Sequence, residues 1–78
     1  MNFFAKRRKE LQKSKGETIS QFDLAVMIGV TPSAVGSWER GLVIPRLTLA
    51  PKLAEVYGVP VGVIEQEIVK LARLATAS

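Results

Sequence analysis

The chain contains neither cysteine nor histidine in its 78 residues. Without cysteine there is no disulfide and no thiolate-bound metal. Without histidine, the commonest metal ligand and the side chain that titrates nearest neutral pH are both missing. Acids are few, seven Asp and Glu in all, and no pair of them stands in a recognisable acid–base arrangement. No catalytic residue, no metal ligand and no cofactor is expected, and an enzyme is the least expected of the possible functions. Long apolar runs are missing too. The longest apolar region, Leu42 to Ile64, is broken by Arg46, Lys52, Glu55 and three prolines, so it does not read as membrane-spanning. Met1 to Lys15 carries its charges centrally with no long apolar core behind them, unlike a secretory signal. A cytoplasmic location with no membrane partner is the expectation.

What is present points to a small folded unit. Nearly half the residues, 47%, are hydrophobic, which argues against disorder. The length suits a single domain over residues 1–78, one too small to hold a second core. The net charge is +4 and unevenly placed. Lys6, Arg7, Arg8, Lys9, Lys13 and Lys15 stand against Glu10 alone, so residues 1–16 carry +5 and residues 17–78 carry −1. Such a block fits a polyanionic partner such as nucleic acid, or simply a solvated helix face.

Glycine supplies the punctuation. Gly16, Gly29, Gly41 and Gly58, with Ser, Thr and Pro signals between them, divide the chain into five segments of helical length. The first runs from about Asn2, as N-cap, to Ser14, with Phe4, Leu11 and either Phe3 or Ala5 on one face. The second starts at Ser20, whose partner three residues on is Asp23, a capping box with a short acid. Phe22, Ala25, Val26 and Ile28 then recur at helical spacing. The third has Thr31 as cap and Pro32 at the first helical position, where a missing N–H costs nothing. Val35 and Trp38 face the core. In the fourth, a start at Arg46 would bury Pro51 in a helix interior. The cap is therefore predicted at Thr48 and the helix over 49–57, with Ala50, Leu53, Ala54 and Tyr57 inward. The fifth runs from about Pro60 to Leu74 with a stripe of Val61, Ile64, Ile68, Leu71 and Ala75. No segment alternates with period two, so the fold class is all-α, a bundle of five short helices.

Residues 20–41 carry the functional signal. Two short helices flank the turn Ile28-Gly29-Val30-Thr31, the spacing of a helix-turn-helix at about 20–40. Ala25 is small where two helices would cross. Gly29 supplies a positive φ, and Val30 plugs the turn. Ser20, Gln21, Leu24, Ala25, Gly29, Val30, Thr31, Val35, Ser37, Trp38, Glu39 and Gly41 resemble the pattern of Cro/C1-type (XRE family) repressor domains, which have the lambda-repressor-like fold. Pro45 and the run Leu53 to Val59 extend the resemblance, which covers about residues 3–68.

The resemblance implies roles by position. Gln21 opens the first motif helix, where relatives hold a phosphate, and a helix N-terminus suits an anion. The bland alternative is a plain exposed glutamine. Thr31, Pro32, Ser33 and Ser37 occupy the start and outer face of the recognition helix, which reads base edges or phosphates in relatives. Thr31 as a cap is compatible with that contact. No Arg, Asn or Gln stands there for bidentate readout, so discrimination would be partly indirect. Gly36 costs roughly 1 kcal/mol against Ala in a helix and implies a close approach of DNA backbone or another helix. Arg40 and Arg46 are placed for the phosphate backbone, Arg46 alternatively for the minor groove. Glu39 pairs in many relatives with an Arg of the first helix, and either a Gln12 hydrogen bond or an Arg8 ion pair is expected here. Two features depart from the family: the link Lys15 to Ile19 is about two residues longer than usual, and Leu42, Val43 and Ile44 are apolar where relatives are often basic or polar. These three are expected to pack on a second protomer or a neighbouring helix.

Double-stranded DNA is the expected partner. The resemblance implies a sequence-specific transcriptional regulator, a repressor acting as a homodimer on a palindromic operator, with the C-terminal helix (about 60–75) and the stretch 59–64 in dimer contacts. An alternative is an antitoxin or similar partner-binding protein that autoregulates through the same domain, using Leu42, Val43, Ile44 or the C-terminal helix for its partner. A third reading is a helix-turn-helix retained only for protein contacts.

Overall fold

Asn2 starts the first helix as expected, its Oδ1 accepting a hydrogen bond from the Ala5 N–H at 3.1 Å. The computed structural model describes residues 2–76. Among them are five α-helices: α1 (Phe3–Lys15), α2 (Gln21–Ile28), α3 (Pro32–Glu39), α4 (Ala50–Tyr57) and α5 (Val61–Thr76). A 3-10 turn, Leu47–Leu49, precedes α4, and no strand occurs among the described residues, so the fold is all-α. The helices fall into two compact units, one reaching to Val43 and the other beginning at Ile44.

In the first unit α3 is the hub, packing against both α2 and α1. Each helix is closed by local chemistry legible in the sequence. Gly16 takes the left-handed conformation that ends α1. Ser20 and Asp23 form the full capping box, with bonds of 3.0 Å to the Asp23 N–H and 2.9 Å from the Ser20 N–H. Thr31 Oγ1 accepts from the Ala34 N–H at 3.1 Å, and Pro32 opens the first turn of α3. At its other end Gly41 (φ 73°) lets its own N–H reach the Trp38 carbonyl and the Leu42 N–H reach that of Ser37, at 3.1 and 3.0 Å. These two bonds satisfy carbonyls the helix would otherwise leave open.

The buried side chains of this unit are Phe4, Leu11, Ile19, Leu24, Ala25, Ile28, Val35 and Trp38. The Phe4 and Trp38 rings lie 6.2 Å apart and tilted, tying α1 to α3. Asn2 Nδ2 donates to the Trp38 carbonyl, a second tie between the same helices. The expected face of α2 is partly wrong. Phe22 and Val26 are 62% and 65% exposed, while Leu24, Ala25 and Ile28 turn inward. Apolar side chains lie on several sides of this eight-residue helix, so spacing alone does not select the buried one.

In the second unit α4 packs against α5 and the 3-10 turn. The predicted cap at Thr48 does not form: Thr48 lies inside the turn, and α4 begins at Ala50 after Leu49 with no side-chain cap. Pro51 still sits in the first helical turn, where its missing N–H costs no bond. Ala50, Leu53, Ala54 and Tyr57 are buried as expected, together with Val56. On α5, Ile64 and Ile68 are buried and Leu71 half-buried, but Val61 and Ala75 are exposed, so the expected stripe is inward only in its middle. Leu74 is exposed.

Candidate nucleic-acid interface

The motif is built from α2, the turn through Gly29 (φ 88°) and α3, all in the first unit. The Val30 N–H follows the chain around that turn to the Ala25 carbonyl at 3.0 Å. Val35 and Trp38 hold one side of α3 in the core. That leaves Thr31, Pro32 and Ser33 exposed at its N-terminal end, with Ser37 half-buried one turn on. The amino end of a helix carries partial positive charge and outward N–H groups, which suits it to phosphate oxygens.

A polar network anchors the other end of α3. Arg8 Nε and Nη2 donate to Glu39 Oε2 and Oε1 at 2.7 and 2.9 Å, and Arg8 Nη1 donates to the Ile19 carbonyl at 3.0 Å. Of the two expected partners for Glu39, the structure selects Arg8. Gln12 instead accepts the Ile19 N–H at 2.9 Å through Oε1, closing the long link after α1. Burial by itself pushes the Glu39 carboxyl up. The hydrogen bonds from Arg8 and Gln21 and the charges of Arg8 and Lys9 outweigh that, so its pKa lies below the ordinary 4.5.

Gln21 is the residue whose surroundings sequence reasoning missed. Its Nε2 donates to Glu39 Oε1 at 3.1 Å, so the first residue of α2 is tied to the last residue of α3. Gly36 is buried, and the atoms over it belong to this chain: a methyl group there would lie 3.1 Å from Gln21 Oε1 and 3.4 Å from Arg40 Nη1. The close approach expected at Gly36 therefore occurs within the first unit, between side chains and the α3 backbone. Arg40 itself is exposed. No sequence motif marks this arrangement, although a glycine inside an eight-residue helix was the available signal.

The structure thus brings Gln21, Thr31, Pro32, Ser33, Ser37 and Arg40 onto the α2–α3 motif, whereas Arg46 belongs to the second unit, exposed and extended just ahead of the 3-10 turn. The basic block also divides. Arg8 is consumed by Glu39 and Arg7 pairs with Glu10 at 3.4 Å, while Lys6, Lys9 and Lys13 are exposed on the face of α1 opposite Phe4 and Leu11. After α3, Leu42 and Val43 are 71% and 52% exposed and Ile44 is half-buried, so Leu42 and Val43 do not find cover on a neighbouring helix.

Among the described residues no helix is long and apolar enough to cross a membrane, and no group of His, Cys, Asp or Glu could hold a metal ion. A family model described as helix-turn-helix matches residues 5–64. Neither a curated protein nor a solved structure matches the chain.

Proposed function

Because the chain belongs to the Cro/C1-type helix-turn-helix family of DNA-binding transcription regulators (the XRE family), we propose that it is a sequence-specific repressor. In this reading residues 1–78 act as one DNA-binding domain, and a homodimer sits on a palindromic operator and occludes a promoter. The N-terminal end of α3 enters the major groove. Thr31, Pro32, Ser33 and Ser37 meet base edges and nearby phosphates, Gln21 and Arg40 grip the backbone beside them, and Arg46 adds a further backbone or minor-groove contact. The supporting observation is the two-sided character of α3: Val35 and Trp38 are locked inward while Thr31, Pro32 and Ser33 are exposed. The tie to Glu39 uses one N–H of the Gln21 amide and leaves its chemistry compatible with a phosphate through the other.

The charge pattern of α5 supports the homodimer. Glu65 and Glu67 lie in its first half, and Lys70 and Arg73 in its second. Two such helices side by side and antiparallel set acid against base, whereas a parallel pair sets like against like. Selection of bound sites from random duplexes tests the whole reading. Recovery of a two-fold symmetric site with half-sites about one helical turn apart is the expected result. Recovery of no enriched sequence, with no salt-sensitive binding, would exclude it.

One observation favours a second reading. Leu42 and Val43 form an exposed apolar pair shortly after α3, which fits a partner-binding surface, this chain being an antitoxin or similar protein, as well as a second protomer. Co-purification with an unrelated chain, lost on Leu42→Ser and Val43→Ser, would favour that reading.

A further inference from the structure

We propose that Gly36 is a positioning residue: its missing side chain lets Gln21 and Arg40 close over α3 as one preset grip for a DNA phosphate. The proposal rests on the DNA-binding reading above and goes beyond it, because Gly36 itself touches no DNA. Three observations carry it.

First, Gly36 is buried within a short helix although glycine is a poor helix former, and nothing in its backbone requires glycine, since its φ is not positive. The atoms nearest to where a Cβ would stand are the ends of Gln21 and Arg40. Second, both side chains bend back to the same spot on α3, one from the first residue of α2 and one from the cap that ends α3. An Arg40 guanidinium nitrogen and the amide of Gln21 thus lie over the same point of α3, so a donor-rich cation adjoins the side chain of the residue that opens α2. Third, a hydrogen bond opposes movement of Gln21. Its Nε2 is held by Glu39, whose carboxylate is itself gripped at both oxygens by Arg8. A methyl group at 36 comes within 3.1 Å of Gln21 Oε1, so the amide has to give by a few tenths of an ångström against its tie to Glu39.

Ordering these side chains in the free protein lowers the entropy lost when a phosphate arrives. Packing over Gly36 would narrow the positions open to the exposed Arg40 side chain before binding.

The test uses the full chain, a short random-sequence duplex, and three variants: Gly36→Ala, Arg40→Ala and the two together. In the free protein, Gly36→Ala is expected to shift the nitrogen resonances of the Gln21 side-chain amide and the Arg40 guanidinium, while thermal stability holds or rises from the helix gain. In titrations against salt, Gly36→Ala is expected to weaken binding several-fold and to flatten the slope of log K against log salt by about 0.9, the signature of one lost phosphate. Arg40→Ala should then cost nothing further in the Gly36→Ala background. Equal cost of Arg40→Ala in both backgrounds overturns the proposal, as does unchanged slope and affinity in Gly36→Ala. Failure of Gly36→Ala to fold also overturns it, since the core and not the grip would then require glycine. If the unsubstituted chain ignores DNA, the DNA reading fails, while the resonance shifts still report on the arrangement over Gly36.

Discussion

Arg8 meets Glu39 with two guanidinium nitrogens on two carboxylate oxygens, at 2.7 and 2.9 Å, and joins α1 to the end of α3. The side chains are only 17% and 5% exposed, so little water competes for the pair. A charge-assisted fork of this kind is strong and directional, and removing one member leaves the other poorly solvated. Glu39 also holds Gln21, so the same carboxylate fixes how α2 starts against α3.

Arg8→Ala is therefore expected to destabilise the protein by about 2–4 kcal/mol, because Glu39 keeps its charge in a buried place without its main partner. Arg8→Lys should recover only part of the loss, since an ammonium cannot make the two parallel bonds or reach Ile19 with a third. Urea unfolding at neutral pH measures both. A loss below about 0.5 kcal/mol for Arg8→Ala would remove the pair from the stability account.

The pH dependence follows from the depressed carboxyl of Glu39. A group with a folded pKa below its unfolded value stabilises fully above the unfolded value and loses that contribution as pH falls through the folded one. Stability should thus decline as pH drops below the ordinary 4.5. Unfolding curves from pH 7 downward for the unsubstituted chain and Glu39→Gln check this. The variant should be less stable at neutral pH and show a shallower acid limb. Parallel acid limbs in the two proteins would place the acid sensitivity elsewhere.

The capping box of α2 makes a separable contribution. Ser20→Ala removes the acceptor for the Asp23 N–H, and with it one of the helix's few satisfied N-terminal donors. A loss of about 1 kcal/mol is expected, with Ser20→Asp close to neutral. Thermal or urea unfolding of the two variants provides the comparison.

On DNA, the two classes of proposed contact should behave differently. Ser33→Ala and Ser37→Ala are expected to change which sites are selected from random duplexes. Arg40→Ala and Arg46→Ala should weaken every site alike and each flatten the salt slope by about 0.9. If serine and arginine variants shift site preference and salt slope in the same way, the division into reading and holding residues is wrong.

The legibility of the fold follows the range of the forces involved. Asn2, Ser20, Thr31 and Pro32 are read correctly as helix starts because a cap is satisfied within three residues of itself. Thr48 is misread for the same reason inverted: Leu47–Leu49 closes as a 3-10 turn, with the Leu49 N–H on the Arg46 carbonyl, and the threonine hydroxyl is not needed as a cap. Phe22 and Val26 show where spacing fails, since Leu24, Ala25 and Ile28 satisfy helical periodicity on the same short helix equally well.

By itself the sequence determined the all-α class, the starts of α1, α2 and α3, the helix-turn-helix spacing and the residues that open α3, because each depends on local hydrogen bonding and on glycine and proline backbone limits. Tertiary structure alone decided that Arg8 rather than Gln12 takes Glu39, that Gln21 leans across to α3, and that Gly36 is covered by the chain's own side chains. Those choices join residues distant in sequence, and competing donors of similar strength are separated only by which of them the packed helices bring within about 3 Å of an acceptor.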